Sequence, residues 1–241
     1  MRFTGRPGKT GTHGRARALP LLASASLLAG CAAVVPARMS LPAELAGASQ
    51  AVEVRGLGAG ERGELPVMGR TLSFRRGATR LSLFDALART DRATLQFRWG
   101  DGDASSIRAE CHAQRRTHGV GVIEVVGRPL AIECRFEPDG GRMSLVETQA
   151  SKFTLRSERR GELALRDDAW TVRSIHTPQG AVLDVGSPLG YVIESGGRAF
   201  AAVERQGTHA LLHLPVGDDA RRLRVIPMLL ALALMWDAGD A

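Results

Sequence analysis

Short runs of alternating apolar and polar residues fill most of the chain after residue 50. A two-residue period predicts β-strands, and the Gly, Asp and Pro residues between the runs predict turns. The candidate strands are residues 51–55, 70–75, 93–99, 105–113, 120–126, 130–136, 142–148, 152–157, 162–166, 169–175, 190–195, 198–204 and 208–214. Many short strands at this spacing predict a mainly β fold, either a closed or near-closed antiparallel β-barrel or a β-sandwich.

Paired glycines mark the two clearest hairpins. Gly196-Gly197 joins the two runs in "YVIESGGRAFAAVE", and Asp139-Gly140-Gly141 lies at the tip of "FEPDGGRMSLVE". Glycine accepts the positive φ angles that tight hairpin turns require. We therefore expect antiparallel strands on both sides of each turn.

The run "SLFDALART" at residues 82–90 breaks the strand pattern and predicts a short helix. Ser82 is suited to the N-cap position, and Asp85 follows three residues later, as in a short variant of the capping box.

A second helix is predicted near residues 219–236, and from Val225 to Trp236 it is apolar on every side. A helix that is apolar all round is buried all round, and about 18 Å of helix is too short for the roughly 30 Å core of a bilayer. We therefore expect a core helix surrounded by strands. Pro227 removes an interior hydrogen bond, so we expect the helix either to begin or to kink there.

The order of many strands followed by a wholly apolar C-terminal helix resembles the tubby-like barrel, which tubby, the phospholipid scramblases and the LURP-one-related proteins share. The stretches "GYVIESGGRAFAAVER" and "THALLHLPVGDDARRLRVIPMLLALALMWD" carry the resemblance. Asp218 or Asp219 and Asp237 occupy places where LURP-one-related proteins have an Asp-containing turn and a terminal Asp. The resemblance implies a roughly twelve-stranded barrel around a central helix. It implies no functional residue, because the sequence shows no basic cluster like the phosphoinositide site of tubby.

The N-terminus has the pattern of a secretory signal peptide, because residues 1–17 hold five basic and no acidic side chains and residues 18–30 form a short apolar run. Leu28-Ala29-Gly30-Cys31 resembles the lipobox of bacterial lipoproteins, in which the Cys thiol receives a diacylglycerol and the signal is cut before it. The resemblance implies lipidation of Cys31, and Ala32 in place of Asp implies the outer membrane. An ordinary signal peptide or a plain N-terminal anchor is the alternative.

Removal of residues 1–30 changes the charge of the chain. The full sequence has 32 basic and 25 acidic side chains, and 27 basic and 25 acidic side chains remain after residue 30, a net charge of +2. The basic excess that would suggest a nucleic-acid partner therefore lies in the discarded segment, and no nucleic-acid binding is expected.

The predicted organisation has three parts. Residues 1–30 are the signal peptide, residues 31–50 a lipidated tether, and residues 51–241 a single β-rich domain. The tether is assigned because its residues are small and include two prolines.

Two cysteines remain in the domain, Cys111 and Cys134, and they fall in candidate strands that are separated by one further strand. In an oxidising envelope such a pair predicts a disulfide. The alternative is a metal site that adds His112 and His118. Neighbouring residues on a strand point to opposite faces, so Cys111 and His112 are not expected to converge.

Other candidate residues carry weaker signals. His209 and His213 are about 13 Å apart along a strand, too far to share one ion, and we expect both to be half-exposed. A hydrolase would use His176, Asp184 and Ser187, which lie near one another in the sequence. Ser187 belongs to the turn "VGSPLG", however, and lacks the sequence of a nucleophile elbow.

The sequence therefore favours a non-enzymatic lipoprotein of the cell envelope, held at the membrane by acylated Cys31. Its expected partners are the membrane, through the covalent lipid, and an envelope protein, lipid or polymer. The alternatives are an envelope hydrolase and lipid handling within a tubby-like barrel. No cofactor, metal or catalytic residue is predicted.

Overall fold

The computed structural model of the protein describes residues 37–58, 60–83, 88–102, 105–120, 123–149, 156–217 and 220–236. The described elements are β1 (Ser49–Arg55), β2 (Arg62–Val67), β3 (Arg70–Leu83), β4 (Ala88–Trp99), β5 (Ile107–Val120), β6 (Ile123–Glu137), β7 (Gly141–Gln149), β8 (Ser157–Leu165), β9 (Asp168–Ile175), β10 (Gly190–Ser195), β11 (Arg198–Gln206), β12 (His209–Pro215) and α1 (Ala220–Leu234). The predicted signal peptide and Cys31 lie outside the described residues, as do Asp218, Asp219 and Asp237.

One antiparallel sheet holds all twelve of these strands. From β2 to β12 each strand pairs with the next along the chain, and β1 pairs with β12. The two edge strands, β1 and β2, lie beside each other without forming a ladder, so the sheet is a nearly closed barrel. The predicted near-closed antiparallel barrel is confirmed. The sandwich alternative is wrong, because a sandwich needs two sheets.

Alternate residues of the strands face the interior of the barrel and pack against α1. On β4, for example, Leu95, Phe97 and Trp99 point inward and are buried. Every residue of α1 from Val225 to Leu234 is buried as well, so the predicted core helix is confirmed. Among the described residues, no helix combines the length and the apolar character needed to cross a membrane.

Pro227 lies inside α1, because the helix already begins at Ala220. The predicted start at Pro227 is therefore wrong. The proline has no N–H to donate to the carbonyl of Leu223, one turn earlier. Leu223 is 46% exposed, so this loss falls in the part of the helix that is open to water.

A buried arginine closes the other end of α1. Arg76 on β3 points into the barrel and is 4% exposed. Its guanidinium donates to the Leu234 carbonyl at 3.1 Å, to the Leu57 carbonyl at 2.6 Å and to two further carbonyls of the loop before β2. The ring of Trp236 lies 4.5 Å from Cζ. Arg76 thus supplies a donor and a positive charge where the helix leaves carbonyls without partners.

The predicted helix at residues 82–90 is wrong. β3 and β4 run through both described ends of this segment and pair with each other, and only residues 84–87 lie outside the described residues. The buried carboxylate of Asp91 accepts hydrogen bonds from Arg80 at 2.9 Å and Arg89 at 3.0 Å at this end of the hairpin. These cross-strand contacts outweigh a weak local preference for helix.

Strand boundaries also differ from the prediction. The candidate strand 120–126 is not separate, because β6 begins at Ile123 and continues to Glu137 with irregular pairing to β5. The edge strand β2 was not among the candidates, since its sequence RGELPV contains a proline and shows little alternation. Most of candidate strand 152–157 lies outside the described residues.

The N-terminal segment, residues 37–48, covers part of the outer face of β10 and β11. Met39 and Leu45 are buried there against Val192 and Ala202, whose side chains point away from the barrel interior. Backbone hydrogen bonds of 2.9 and 2.7 Å tie the segment to the chain just after β9. The segment is therefore part of the folded protein.

These contacts move the predicted boundary between the tether (31–50) and the domain (51–241). Folded structure includes the chain from Arg38 onward, and β1 already begins at Ser49. Gly190 permits the close approach, because a Cβ atom at this position would lie 2.6 Å from the sulfur of Met39 in the N-terminal segment.

Candidate functional site

Cys111 and Cys134 lie directly opposite each other on β5 and β6 and form a disulfide. Their Cα atoms are 4.0 Å apart, and both side chains are buried inside the barrel. β5 and β6 are neighbouring strands, so the prediction of a further strand between the two cysteines is wrong. The predicted disulfide between the cysteines is supported. The alternative metal site is wrong, because the sulfurs are bonded to each other. His112 points outward with 64% of its side chain exposed, and His118 is exposed too.

Removing this disulfide is expected to lower the free energy of unfolding by about 3 kcal/mol, because the bond closes a loop in the denatured chain. The residues are 23 positions apart in the sequence. Urea unfolding of Cys111→Ala/Cys134→Ala measures the loss. Wild-type protein that is reduced with dithiothreitol while unfolded in urea, and kept reduced during the titration, is the matched control and should unfold at a similarly low urea concentration. An unchanged midpoint in both samples would contradict the prediction.

His176 lies just after β9 in a buried hydrogen-bonded cluster and is 4% exposed. Its Nδ1 is 3.0 Å from the carbonyl of Val185, which only accepts, so Nδ1 carries the proton. The Ser174 hydroxyl donates to Nε2 at 2.9 Å and accepts the backbone N–H of Arg159 at 2.8 Å. Burial lowers the pKa of His176, which keeps the imidazole neutral at neutral pH.

The structure does not assemble His176, Asp184 and Ser187 into a catalytic triad. Ser187 is exposed in the loop before β10, and the ring nitrogens of His176 are engaged elsewhere. Asp184 accepts a hydrogen bond from Thr177 at 2.5 Å and another from Arg156. The Thr177 hydrogen bond, followed by those of Arg156, lowers the pKa of Asp184. These hydrogen bonds hold the loop before β10 against β9. In this arrangement no base activates Ser187.

A buried carboxylate lies beneath the N-terminal segment. Glu204 on β11 accepts hydrogen bonds from Arg38 Nε at 2.9 Å, from the Met39 backbone N–H at 2.9 Å and from Gln206 Nε2 at 2.7 Å. His213 Nε2 lies 3.6 Å from its second oxygen. Burial alone would raise the pKa of Glu204, but these four partners outweigh burial and lower the pKa to about 2. Glu204 is thus an ionised link between the barrel wall and the N-terminal segment.

The two strand histidines have different environments. His213 belongs to the Glu204 cluster and is 3% exposed, so the expectation of a half-exposed side chain is wrong for this residue. His209 is partly exposed, as expected, and contacts the amide oxygen of Gln206 at 2.6 Å. Within the described ranges, no three His, Cys, Asp or Glu side chains are placed to hold a metal ion.

A groove of about 560 Å³ lies on the outer face of β3 to β6, and we call it the outer groove. Its volume falls within the usual range of small-molecule sites. Phe74, Phe97 and Ala109 also border the groove, but their side chains are buried in the barrel core. Most of the charged lining comes from arginine, and the charged residues are Arg62, Arg75, Arg98, Arg108, Arg135, Glu110 and Glu137.

Both like and opposite charges face each other across the strands of this groove. Arg98 is directly opposite Arg108 on β4 and β5, whereas Arg108 is directly opposite Glu137, and Glu110 directly opposite Arg135, on β5 and β6. Opposite charges at a Cβ separation of about 5 Å stabilise a sheet, and like charges destabilise it. A smaller pocket beside the groove, lined by Arg135 and Arg142, also contains two glutamates, so the excess of positive charge is concentrated in the outer groove.

Comparisons of this chain with protein-family models, with curated proteins and with solved structures found no match. The barrel has the architecture that the resemblance to tubby-like proteins implies, and membership of that family stays a prediction. Function is therefore argued from the residues of this chain alone.

Proposed function

We propose that the protein is a non-enzymatic, binding-type lipoprotein of the cell envelope, anchored through acylated Cys31. The observation that carries the proposal is the tetrapeptide Leu28-Ala29-Gly30-Cys31 at the end of a basic and then apolar N-terminus. A thiol is the nucleophile that accepts the lipid, and the small residues before it suit cleavage. Ala32 favours the outer membrane, with the barrel on its periplasmic side.

The short connection between Cys31 and the barrel supports this proposal. Arg38 is seven residues after Cys31, and a chain of that length spans at most about 24 Å. Arg38 and Met39 both donate to Glu204 in the barrel wall. A lipid on Cys31 would therefore hold the barrel close to the membrane surface.

The disulfide between Cys111 and Cys134 also supports an envelope location. Disulfides persist in the periplasm and on cell surfaces and are rare in the reducing cytosol. The bond is fully enclosed by the barrel, so it serves stability and not redox exchange.

The alternatives receive less support from the geometry. Lipid handling inside the barrel needs space for acyl chains, but α1 fills the interior, and the cavity beside Pro227 and Met228 is only about 10 Å³. A hydrolase needs a nucleophile and a base in contact, and Ser187 is not hydrogen-bonded to His176. A concave surface that is open to a ligand lies on the outside of the barrel wall.

Radiolabelled palmitate tests the anchor in a Gram-negative host. We expect the wild-type protein to take up the label and to sediment with membranes, and Cys31→Ala to do neither. Cys111→Ala/Cys134→Ala is the matched control, because it removes the other thiols and keeps the lipobox, and it should be labelled like the wild type. Equal labelling of wild type and Cys31→Ala would overturn the proposal.

A further inference from the structure

We propose that one end of the barrel, which we call the apolar end, enters the interface of a lipid bilayer. The apolar end is defined by Leu81 on β3, Val125 on β6 and the adjacent pair Val182 and Leu183 in the loop between β9 and β10. The proposal goes beyond the covalent anchor, because it concerns a contact made by the folded barrel itself. It takes from the proposed function only the presence of a membrane in the same compartment.

The loop between β9 and β10 carries the most exposed part of the apolar end. Val182 and Leu183 are adjacent and are 97% and 80% exposed. The loop is fixed to the end of β9, because Val185 donates its N–H to the His176 carbonyl at 2.9 Å and accepts a hydrogen bond from His176 Nδ1 at 3.0 Å. Single exposed apolar side chains are common on protein surfaces, whereas a contiguous group marks a contact surface. The fixed loop therefore presents an apolar tip to a partner.

Two further exposed side chains lie at the same end of the barrel. Leu81 is two residues before the end of β3, Val125 is two residues after the start of β6, and both are more than half exposed. Because neighbouring strands alternate in direction, the end of β3, the start of β6 and the loop after β9 lie at one end of the barrel. β6 and β9 are three strands apart, so apolar side chains border this end on more than one side.

Arginines next to these apolar side chains favour a bilayer surface as the partner. Through β4, the strand register aligns Leu81 with Arg116 and Arg128, and both arginines are exposed. Arginine lays its apolar stem along an apolar surface and keeps its guanidinium at the level of the lipid phosphates. Asp184, which follows the two loop residues, is hydrogen-bonded to Arg156. Binding to a bilayer increases with the apolar area that is buried and with the attraction to anionic lipids, and the apolar end offers both.

The N-terminal segment joins the barrel at the apolar end. Gln179, in the loop between β9 and β10, donates its backbone N–H to the Arg38 carbonyl at 2.7 Å. The polypeptide that would carry the anchor thus meets the fold beside Val182 and not at the opposite end. The exposed large apolar side chains that the structure describes at the opposite end, Met68, Val216 and Leu223, belong to three separate elements.

Co-sedimentation with vesicles made of equal parts of phosphatidylethanolamine and phosphatidylglycerol tests the inference. The protein is the mature chain, residues 31–241, with Cys31→Ala, so that neither a signal peptide nor a lipid contributes, and it contains every described residue. We expect it to bind the vesicles, and Val182→Ser/Leu183→Ser to lower its partition coefficient about tenfold or more, because burial of one such side chain is worth about that factor. Val216→Ser/Leu223→Ser is the matched control, because it removes two exposed apolar side chains from the opposite end. The control should change the partition coefficient less than about twofold.

Two further variants test the other parts of the apolar end, and thermal melts verify that each variant is folded. Leu81→Ser/Val125→Ser should also lower the partition coefficient. Arg116→Gln/Arg128→Gln should weaken binding to the anionic vesicles and leave binding to phosphatidylcholine vesicles unchanged, because it removes only the attraction to anionic headgroups.

Three outcomes would overturn the inference. The parent protein without vesicle binding would exclude a bilayer as the partner. Equal weakening by the loop variant and by Val216→Ser/Leu223→Ser would mean unspecific adhesion. Loss of binding on removal of the arginines, with none on removal of Val182 and Leu183, would mean attraction by charge alone. In the full chain, Val182→Ser/Leu183→Ser should take up palmitate like the wild type, so that a failure of the apolar end and a failure of the anchor are distinguished.

Discussion

Glu204→Ala is expected to lower the free energy of unfolding by about 3 kcal/mol, because it leaves the buried donors around this carboxylate without an acceptor. Those donors are the Met39 backbone N–H and Gln206, and His213 loses the carboxylate that lies 3.6 Å from its Nε2. Urea unfolding measures the loss, and limited proteolysis should cleave the N-terminal segment of the variant first.

Glu194→Ala is the control, because Glu194 on the adjacent strand β10 pairs with Arg173 at the surface. Surface pairs contribute at most about 1 kcal/mol, so this variant should unfold near the wild-type midpoint. If Glu204→Ala were as stable as Glu194→Ala, Glu204 would not hold the N-terminal segment.

The lowered pKa of Glu204 determines how the stability of the folded protein changes in acid. Its pKa is about 2 in the folded protein and 4.5 as the ordinary value. A carboxyl whose pKa is lowered by folding stabilises the folded state at pH values above its ordinary pKa. The contribution of Glu204 to the free energy of unfolding is therefore complete above pH 4.5. This contribution is lost as the pH falls towards 2, by at most about 3 kcal/mol. Glu204→Gln should therefore show a shallower loss of stability between pH 4.5 and 2 than the wild type.

Arg76→Met is expected to cost about 3 to 5 kcal/mol of unfolding free energy. Methionine keeps an apolar side chain at this position but lacks the guanidinium. The carbonyls of Leu234 and Leu57, which accept hydrogen bonds from Arg76 inside the barrel, would lose these donors. Arg75→Met is the matched control, because Arg75 is the next residue on β3 and points outward. Its midpoint in urea should change little. Similar midpoints for the two variants would show that Arg76 does not secure the end of α1.

The barrel and its helix were predictable because their signals are local. A two-residue period marks each half-buried strand, and a helix that is apolar on every side has no solvent-facing alternative. The Gly196-Gly197 turn between β10 and β11 was also predictable from a local signal, since both glycines have the positive φ angles that a tight turn requires. The failure at residues 82–90 has the opposite origin, because pairing between β3 and β4 outweighed a local helix signal.

The outer groove and the Glu204 cluster were not predictable in the same way. Arg98, Arg108 and Arg135 are far apart in sequence, and only the strand register places them on one surface. Glu204 appears as an ordinary charged strand residue until the N-terminal segment covers it. One missed residue did have a signal, because Ser174 stands two positions before His176 and therefore shares its face of the chain.

Mass spectrometry of the N-terminal tryptic peptide, from protein isolated out of Gram-negative membranes, measures the state of Cys31 directly. Trypsin cuts after Arg38, so lipidation predicts a peptide of residues 31–38. We expect it to begin at Cys31 and to carry the added mass of a diacylglyceryl group and an amide-linked acyl chain. A mature protein that begins at another residue, or that retains an unmodified Cys31, would contradict lipid anchoring.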